Sequence, residues 1–456
     1  MSEQVTVRFV TKDEYEKYRI GDSPLAIPRK LGRYGLSEVI NHLLGLENSP
    51  QPFDFSINDQ LIREPLSSFI PSHNLSVEDV LTIEYMPAYS LGDERNTVQA
   101  DAWIGSLSVC DASQLLIAGC YDGSLQVSNC TLAGQKQMNE SKVMAHEDPI
   151  RDVASWQGTE NGSSGTVIVA TASKDQSAKL WRVKSSNAKE GKGTKRDLSG
   201  AERGANNQYI EQMAELQGHT SSVEALAHHS DVGANKSILF TGDWAGNIFA
   251  WDVSENNAAM GNNAGAGGIP KLANMNVNRA HNQAIQGIQV SNVSGSWRMF
   301  SCAMDHSLKE WDLERQDCLS TFTSDSKIFT SMHYHDSSRI IGSSHNDGRI
   351  RLWDLRKGNA ENTCLKITNG PSTQWVSSFR WHPSSSMASI FATTDYAGVV
   401  RLWDIRATTT PLDTVTSHDG KALCATWNPT AERDGVHSLY TGGSDCNINK
   451  FAFGIM

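Results

Sequence analysis

A chain of 456 residues with a net charge of −11 and a pI near 5.7 has room for one large domain and one small one. That acidity argues against holding nucleic acid by bulk charge, which needs a basic face, although local basic patches stay open. No apolar run approaches the roughly 18 residues a membrane span needs, and MSEQVTVRF has no signal-peptide character, so the chain reads as soluble and intracellular. The 8 cysteines form no CxxC pair. Cys110, Cys120 and Cys130 fall on different expected strands, which suits buried thiols in a reducing compartment.

Residues 1–87 predict a small domain. Val5, Val7 and Phe9 alternate as a strand, and residues 24–31 supply its hairpin partner. Gly35-Leu36-Ser37-Glu38 opens a helix in which Leu36, Val39, Ile40, Leu43 and Leu44 share one face, with Gly45 near its end. Phe53, Phe55 and Ile57 alternate again, Leu61-Ile62 makes a short strand, and residues 80–85 a last one. Strand, strand, helix and three short strands is the order of a ubiquitin-like β-grasp, with a core that is small but sufficient. Residues 88–101 read as a linker.

From residue 102 to 456 one pattern recurs, seen most fully in SHNDGRIRLWDLR at 344–356. A strand ends in Ser, Asn346-Asp347-Gly348 turns the chain, and a second strand closes on Trp353-Asp354. The six-residue interval from Asp347 to Trp353 returns as Asp175 to Trp181 and Asp305 to Trp311, and the hairpin can set the indole back beside that carboxylate. Asp445 leads to Phe451 and Asp122 to Ser128, copies that keep the turn and lose the indole. Ahead of Trp251 and Trp403 the slot holds Ala245 and Ala397, with the acid two residues earlier at Asp243 and Asp395. Four positions before the slot stand Thr171, Thr241, Ser301, Ser343, Thr393 and Thr441, and Ala118 breaks the series. Seven such hairpins resemble a WD-repeat β-propeller, a mainly β fold. The chain ends five residues past Phe451, so the last blade has no outer strand of its own. Part of the segment before Trp103 is expected to complete it. Two polar stretches, residues 184–207 and 255–268, read as flexible inserts that leave the same face of the disc.

Ser/Thr, His and Asp together invite a hydrolase reading, since such a trio can generate a nucleophile. Here His146, Thr171, Asp175 and Trp181 form one set, and His281, Ser301, Asp305 and Trp311 repeat it. A hydrolase needs one triad, whereas this set recurs at structural spacing. The resemblance implies a buried hydrogen-bond chain from Trp through Ser/Thr and His to Asp. There is no Walker loop, HExxH or Cys/His cluster, so no catalytic site and no cofactor of the chain's own is expected. The dispersed run Lys189, Lys192, Lys195, Arg196 reads first as a solvated loop and second as a nuclear-import patch. The residues just before the Asp slot are Tyr121, Lys174, Trp244, Met304, Asn346, Tyr396 and Ser444, and they should line one rim. Turn tips are normally polar, so Trp244, Tyr396, Tyr121 and Met304 are the partner-binding candidates.

LGRYGLSEVINHLLG at 31–45 and PFDFSIND at 52–59, ahead of a propeller, resemble the N-terminal domains of two ribosome-assembly families. One is Notchless. The other is the WD-repeat subunit of the PeBoW complex, which acts with Pescadillo and a Bop-type WD-repeat protein, and seven repeats fit it better. The resemblance implies a non-enzymatic assembly factor for the large (60S) ribosomal subunit and for pre-rRNA processing, in the nucleolus and nucleoplasm. It implies a propeller that docks on the Bop-type protein and a ubiquitin-like domain gripped by the AAA ATPase Midasin, which releases the factor from the pre-60S particle. In that family an acidic side chain completes the Mg²⁺ site of Midasin's adhesion module. The matching loop is residues 74–79, where Glu78 is the carried-over ligand and Asp79 the alternative. Membrane partners are not expected, and direct rRNA contact stays open. A second class of reading is a substrate adaptor for ubiquitin ligation or proteasome delivery.

Overall fold

The computed structural model describes all residues except 1–3, 12, 59, 77–78, 93–95, 112, 131–140, 159–165, 185–201, 204–208, 232–235, 255–276, 278, 294, 325–326, 357–362, 369–373, 407–409, 431–435 and 456. The chain divides into two compact units. One comprises Met1–Gly92, Leu402–Asp413 and Phe453–Met456, the other Asp93–Arg401 and Thr414–Ala452.

The first unit is built on a mixed sheet of order β2-β1-β5-β3-β4. Its strands are β1 (Gln4–Val10), β2 (Leu25–Pro28), β3 (Phe53–Ile57), β4 (Gln60–Leu61) and β5 (Leu81–Pro87). β1 forms a hairpin with β2 and runs parallel to β5, as a ubiquitin-like sheet requires. Alternation in β1 sends Val5, Val7 and Phe9 into the core. The helix α1 spans Arg33–Leu44, starting two residues before the sequence suggests. Its buried stripe is Leu36, Ser37, Ile40 and Asn41, while Leu43 is 43 % exposed, so the expected apolar face is rotated. The cause is polar. Ser37 Oγ accepts the Phe53 N–H at 3.0 Å. Asn41 donates to the Gln51 carbonyl at 2.7 Å and accepts the Gln51 N–H at 2.8 Å. Satisfying those loop groups turns Ser37 and Asn41 inward and Leu43 out. A second helix, α2 (Leu66–Ser72), buries Leu66, Phe69 and Ile70 and was not anticipated, because seven residues show too little periodicity.

The remaining segments of this unit pack on the same body. Leu412 joins Leu61 and Met86, and Leu61 N–H donates to the Arg406 carbonyl at 3.4 Å. Strand β6 (Tyr89–Leu91) pairs with Phe453–Ile455, and the Tyr89 ring stacks on Phe453 at 5.3 Å.

The second unit is a propeller of seven blades. Its inner strands are Ile104–Cys110, Ile150–Gln157, Val223–Asp231, Ile285–Val293, Phe329–His335, Val376–Trp381 and Ala422–Trp427. Each packs against the next, and the last against the first, which closes the ring. Antiparallel neighbours extend each blade outward. Strand β7 (Asn96–Gln99), ahead of Trp103, pairs with Asn447–Lys450 and gives the seventh blade its outer strand. Blade two carries a fifth strand, Glu202–Arg203, inside the stretch expected to be a flexible insert. The rest of 185–207 and all of 255–268 lie outside the described residues, the former including Lys189, Lys192, Lys195 and Arg196. Cys110, Cys120 and Cys130 are buried.

A candidate docking rim at the mouth of the propeller

In blades two to five the Trp that closes the hairpin reaches a buried hydroxyl on the adjacent strand. In blade four, Trp311 Nε1–H donates to Ser301 Oγ at 2.8 Å, and His281 Nε2 meets the same oxygen at 2.7 Å. Asp305 accepts from His281 Nδ1 at 3.2 Å and from Ser307 Oγ at 2.6 Å. An ionised carboxylate can only accept, so Nδ1 carries the ring proton. Burial pushes His281 below its ordinary value against the pull of Asp305, so the ring is neutral and Nε2 accepts the Ser301 proton. Burial works to raise the Asp305 carboxyl, but His281 and Ser307 hold it well below the usual range.

Blade two repeats this arrangement through Trp181, Thr171, His146 and Asp175 at 3.0, 2.7 and 2.7 Å. Blade three does so through Trp251, Thr241, His219 and Asp243 at 2.9, 2.6 and 3.0 Å. Asp243 thus fills the role from two residues before its slot. The indole meets the hydroxyl and not the carboxylate, correcting the simpler picture of Trp beside Asp. In blades five and six an arginine holds the turn acid, although in blade five His345 Nε2 still meets Ser343 Oγ at 2.9 Å. Arg351 pairs with Asp347 at 2.8 Å and Arg401 with Asp395, all four side chains being largely buried. Ser301 and Thr171 are wholly buried and already engaged on both sides, so their hydroxyls are closed to a substrate. This is an internal brace repeated around a ring.

The turn tips differ. In every blade the N–H of the turn residue donates to the carbonyl of the residue at or just before the start of the inner strand. Tyr121 donates to Trp103, Lys174 to Pro149, Trp244 to Ser222, Met304 to Ala284, Asn346 to Ile328, Tyr396 to Trp375 and Ser444 to Lys421, at 2.8 to 3.3 Å. This shared bond sets all seven tips on one end of the propeller and gives each a partner beside it. Sequence reasoning found Tyr121, Trp244, Met304 and Tyr396 and missed the second ring, which contributes Trp103 and Trp375. The signal was available in the residues that precede each inner strand.

Three tryptophans on this rim face solvent: Trp103 at 47 %, Trp244 at 49 % and Trp375 at 40 % exposure. Their neighbours are held in place. Trp375 stacks on Tyr396 at 5.6 Å, and Lys421 Nζ lies 4.7 Å over the Tyr396 ring. Trp103 tilts against Tyr121 at 5.8 Å. Arg151 donates to Tyr121 Oη at 2.9 Å and to Glu224 Oε2 at 2.7 Å. Burial works to lower the Arg151 pKa, but Glu224 keeps it raised. Tyr121, Met304, Trp375 and Tyr396 border a central channel of about 670 Å³. Deeper inside, Asp152 accepts from Ser106 of blade one at 3.0 Å and from the Leu226 N–H of blade three at 2.8 Å, tying three blades together. Large, solvent-facing aromatics on a pre-organised frame are what protein interfaces use as anchors.

In the first unit, Glu78 and Val77 lie outside the described residues, and the neighbouring Asp79 is exposed. Among the described residues no three His, Cys, Asp or Glu side chains gather as a metal site. No described helix is long and apolar enough to cross a membrane.

Comparison with known proteins finds two family models. The NLE (NUC135) domain matches residues 5–70, and the WD domain, G-beta repeat, matches 139–182, 210–252, 316–354 and 362–404. The structure thus contains more blades than the repeat model matches. Relatives align over nearly the whole chain. A ribosome biogenesis protein WDR12 homolog of Chlamydomonas reinhardtii is 29 % identical, over 98 % of this chain and 97 % of its own. The homolog from Oryza sativa subsp. japonica is 29 % identical, over 98 % and 96 %. Ribosome biogenesis protein YTM1 of Saccharomyces cerevisiae is 27 % identical, over 91 % and 90 %.

Proposed function

The chain belongs to the family of ribosome biogenesis proteins that join an NLE domain to WD repeats, and from that premise we propose that it is a non-enzymatic assembly factor for the large ribosomal subunit. It works in the nucleolus and nucleoplasm, in a PeBoW-type complex with Pescadillo and a Bop-type WD-repeat protein. The observation that carries the docking half is the ring of solvent-facing aromatics around Trp103, Trp244 and Trp375. That rim receives the Bop-type partner. The N-terminal unit serves as the handle by which Midasin removes the factor from the pre-60S particle. Glu78 supplies one carboxylate oxygen to a Mg²⁺ held by Midasin's adhesion module. A carboxylate is a hard oxygen ligand suited to that ion, and a single ligand donated to a partner's metal needs no metal cluster in this chain.

Separating the two roles tests the reading. With Glu78→Ala the chain should still enter pre-ribosomal particles and then accumulate on them, which gradient sedimentation of the tagged protein would detect. Glu78→Asp should be intermediate at best, because Mg²⁺ tolerates little error in ligand distance. Normal release of the Glu78→Ala chain would remove Glu78 from this role and bring Asp79 forward.

A further inference from the structure

The N-terminal unit carries a feature that neither the docking rim nor Glu78 uses. Between α1 and the segment 47–53 lies a groove of about 590 Å³. Tyr34, Ser37, Glu38, Asn41 and His42 form one wall from successive turns of the helix, and Pro50 and Pro52 stand opposite. Its floor is rigid. Ser37 and Asn41, both buried, hold the Gln51 and Phe53 backbone through the hydrogen bonds that rotate α1, so the groove needs no rearrangement to open. At one end Tyr34 stands 79 % exposed, the most solvent-facing large hydrophobic side chain among the described residues.

The charges around it are unequal. Arg33 is paired within the unit with Asp54 at 2.6 Å, a carboxylate that Arg63 also meets at 2.7 Å. Glu38 and Glu47 are both exposed at the edge, and His42 Nδ1 lies 2.6 Å from Glu47. An apolar trough with an exposed tyrosine, two prolines and an acidic edge matches an extended peptide that brings apolar rings to the trough and cations to the edge. We propose that this groove binds an extended basic segment of a partner protein, one in which proline alternates with arginine or lysine. The prolines lie against Tyr34, Pro50 and Pro52, and the cations meet Glu38 and Glu47.

Fluorescence anisotropy on the full chain tests this with two labelled nonapeptides, one alternating proline with arginine and one alternating proline with glutamate. The arginine peptide should bind saturably and the glutamate peptide should not. Tyr34→Ala should weaken binding at least fivefold. Glu38→Lys combined with Glu47→Lys should abolish it and confer binding of the glutamate peptide. All three positions are exposed, and an unchanged thermal midpoint in each variant confirms that the unit remains folded. Absence of binding would overturn the proposal. So would binding indifferent to Tyr34 and the two glutamates, which would mean general attraction to a chain of net charge −11. A dimer in sedimentation equilibrium that Tyr34→Ala dissociates would assign the groove to a second copy instead.

Discussion

Tryptophan has two fates in this molecule, and they divide the labour of the propeller. Inside the blades, Trp181, Trp251, Trp353 and Trp403 are at most 3 % exposed, and the first three spend their indole N–H on a Ser or Thr hydroxyl. On the rim, Trp103, Trp244 and Trp375 are 40 to 49 % exposed and are placed by backbone bonds from the turn. The difference teaches that residue type alone does not mark a site. What separates the two sets is position in the blade: the rim tryptophans stand at a turn tip or just before an inner strand, and the buried ones near the end of the strand that follows the turn. Blade one tests the same point by omission. Ser128 occupies its Trp slot, wholly buried, with no partner for its hydroxyl among the described residues, and Ala118 replaces the hydroxyl that an indole would need.

The comparison can be broken by substitution. Trp181→Ala should cost about 3–5 kcal/mol of stability, as for large aromatic truncations in a core, read as a fall in the urea midpoint. Loss of less than about 1 kcal/mol would mean the inner brace is dispensable. Thr171→Val keeps shape and removes the oxygen that meets both Trp181 and His146, so it should cost about 1–3 kcal/mol through unsatisfied buried groups. Ser128→Ala should change stability by no more than about 1 kcal/mol, in either direction, since it deletes an orphaned hydroxyl. A large loss there would show that blade one has a brace of its own.

Acid should act on the interior alone. Burial lowers His281, His335 and His418 and pushes His228, His333, His345 and His382 down to about 3. Unfolded imidazoles titrate near 6.5, so between about pH 6.5 and about 3 the unfolded chain binds more protons. Stability is therefore full above that window and falls as the pH drops through it. Asp175, Asp243, Asp305 and Asp445, opposed by burial but held low by their histidine partners, add a further loss below about pH 3.9. Urea midpoints should decline from pH 7.5 to 5, and His345→Gln should make that decline shallower. A midpoint that is flat over this range would contradict the neutral, buried imidazoles.

Much of the propeller was legible because a two-residue period and a recurring turn repeat seven times, so weak copies are rescued by register with strong ones. Asp243 illustrates this: it stands outside its slot, yet the backbone of Gly246, at φ +84° and with no room for a Cβ against the His281 carbonyl, lets the turn bring it to His219. The N-terminal unit offered no repetition. There the rotation of α1 depended on Ser37 and Asn41 finding the Gln51 and Phe53 backbone, a pairing across 10 to 16 residues that periodicity cannot express. Arg351 and Arg401, which hold the turn acids that histidine holds in other blades, were likewise hidden, since a charged residue in a strand reads as solvent-facing until its buried carboxylate is located. The rim was half legible, because turn tips are visible in sequence and the residues beside them are not.

The central claim is that the outer aromatics bind and the inner ones brace. It is tested most directly by measuring the affinity of the full chain for the Bop-type protein by isothermal titration calorimetry, with and without Trp244→Ala and Tyr396→Ala together. Losing anchors of this kind should cost about 2 kcal/mol or more, raising Kd roughly 30-fold or beyond, while the thermal midpoint stays that of the unaltered chain. An unchanged Kd in the folded double variant would contradict the account and move the docking surface away from this rim.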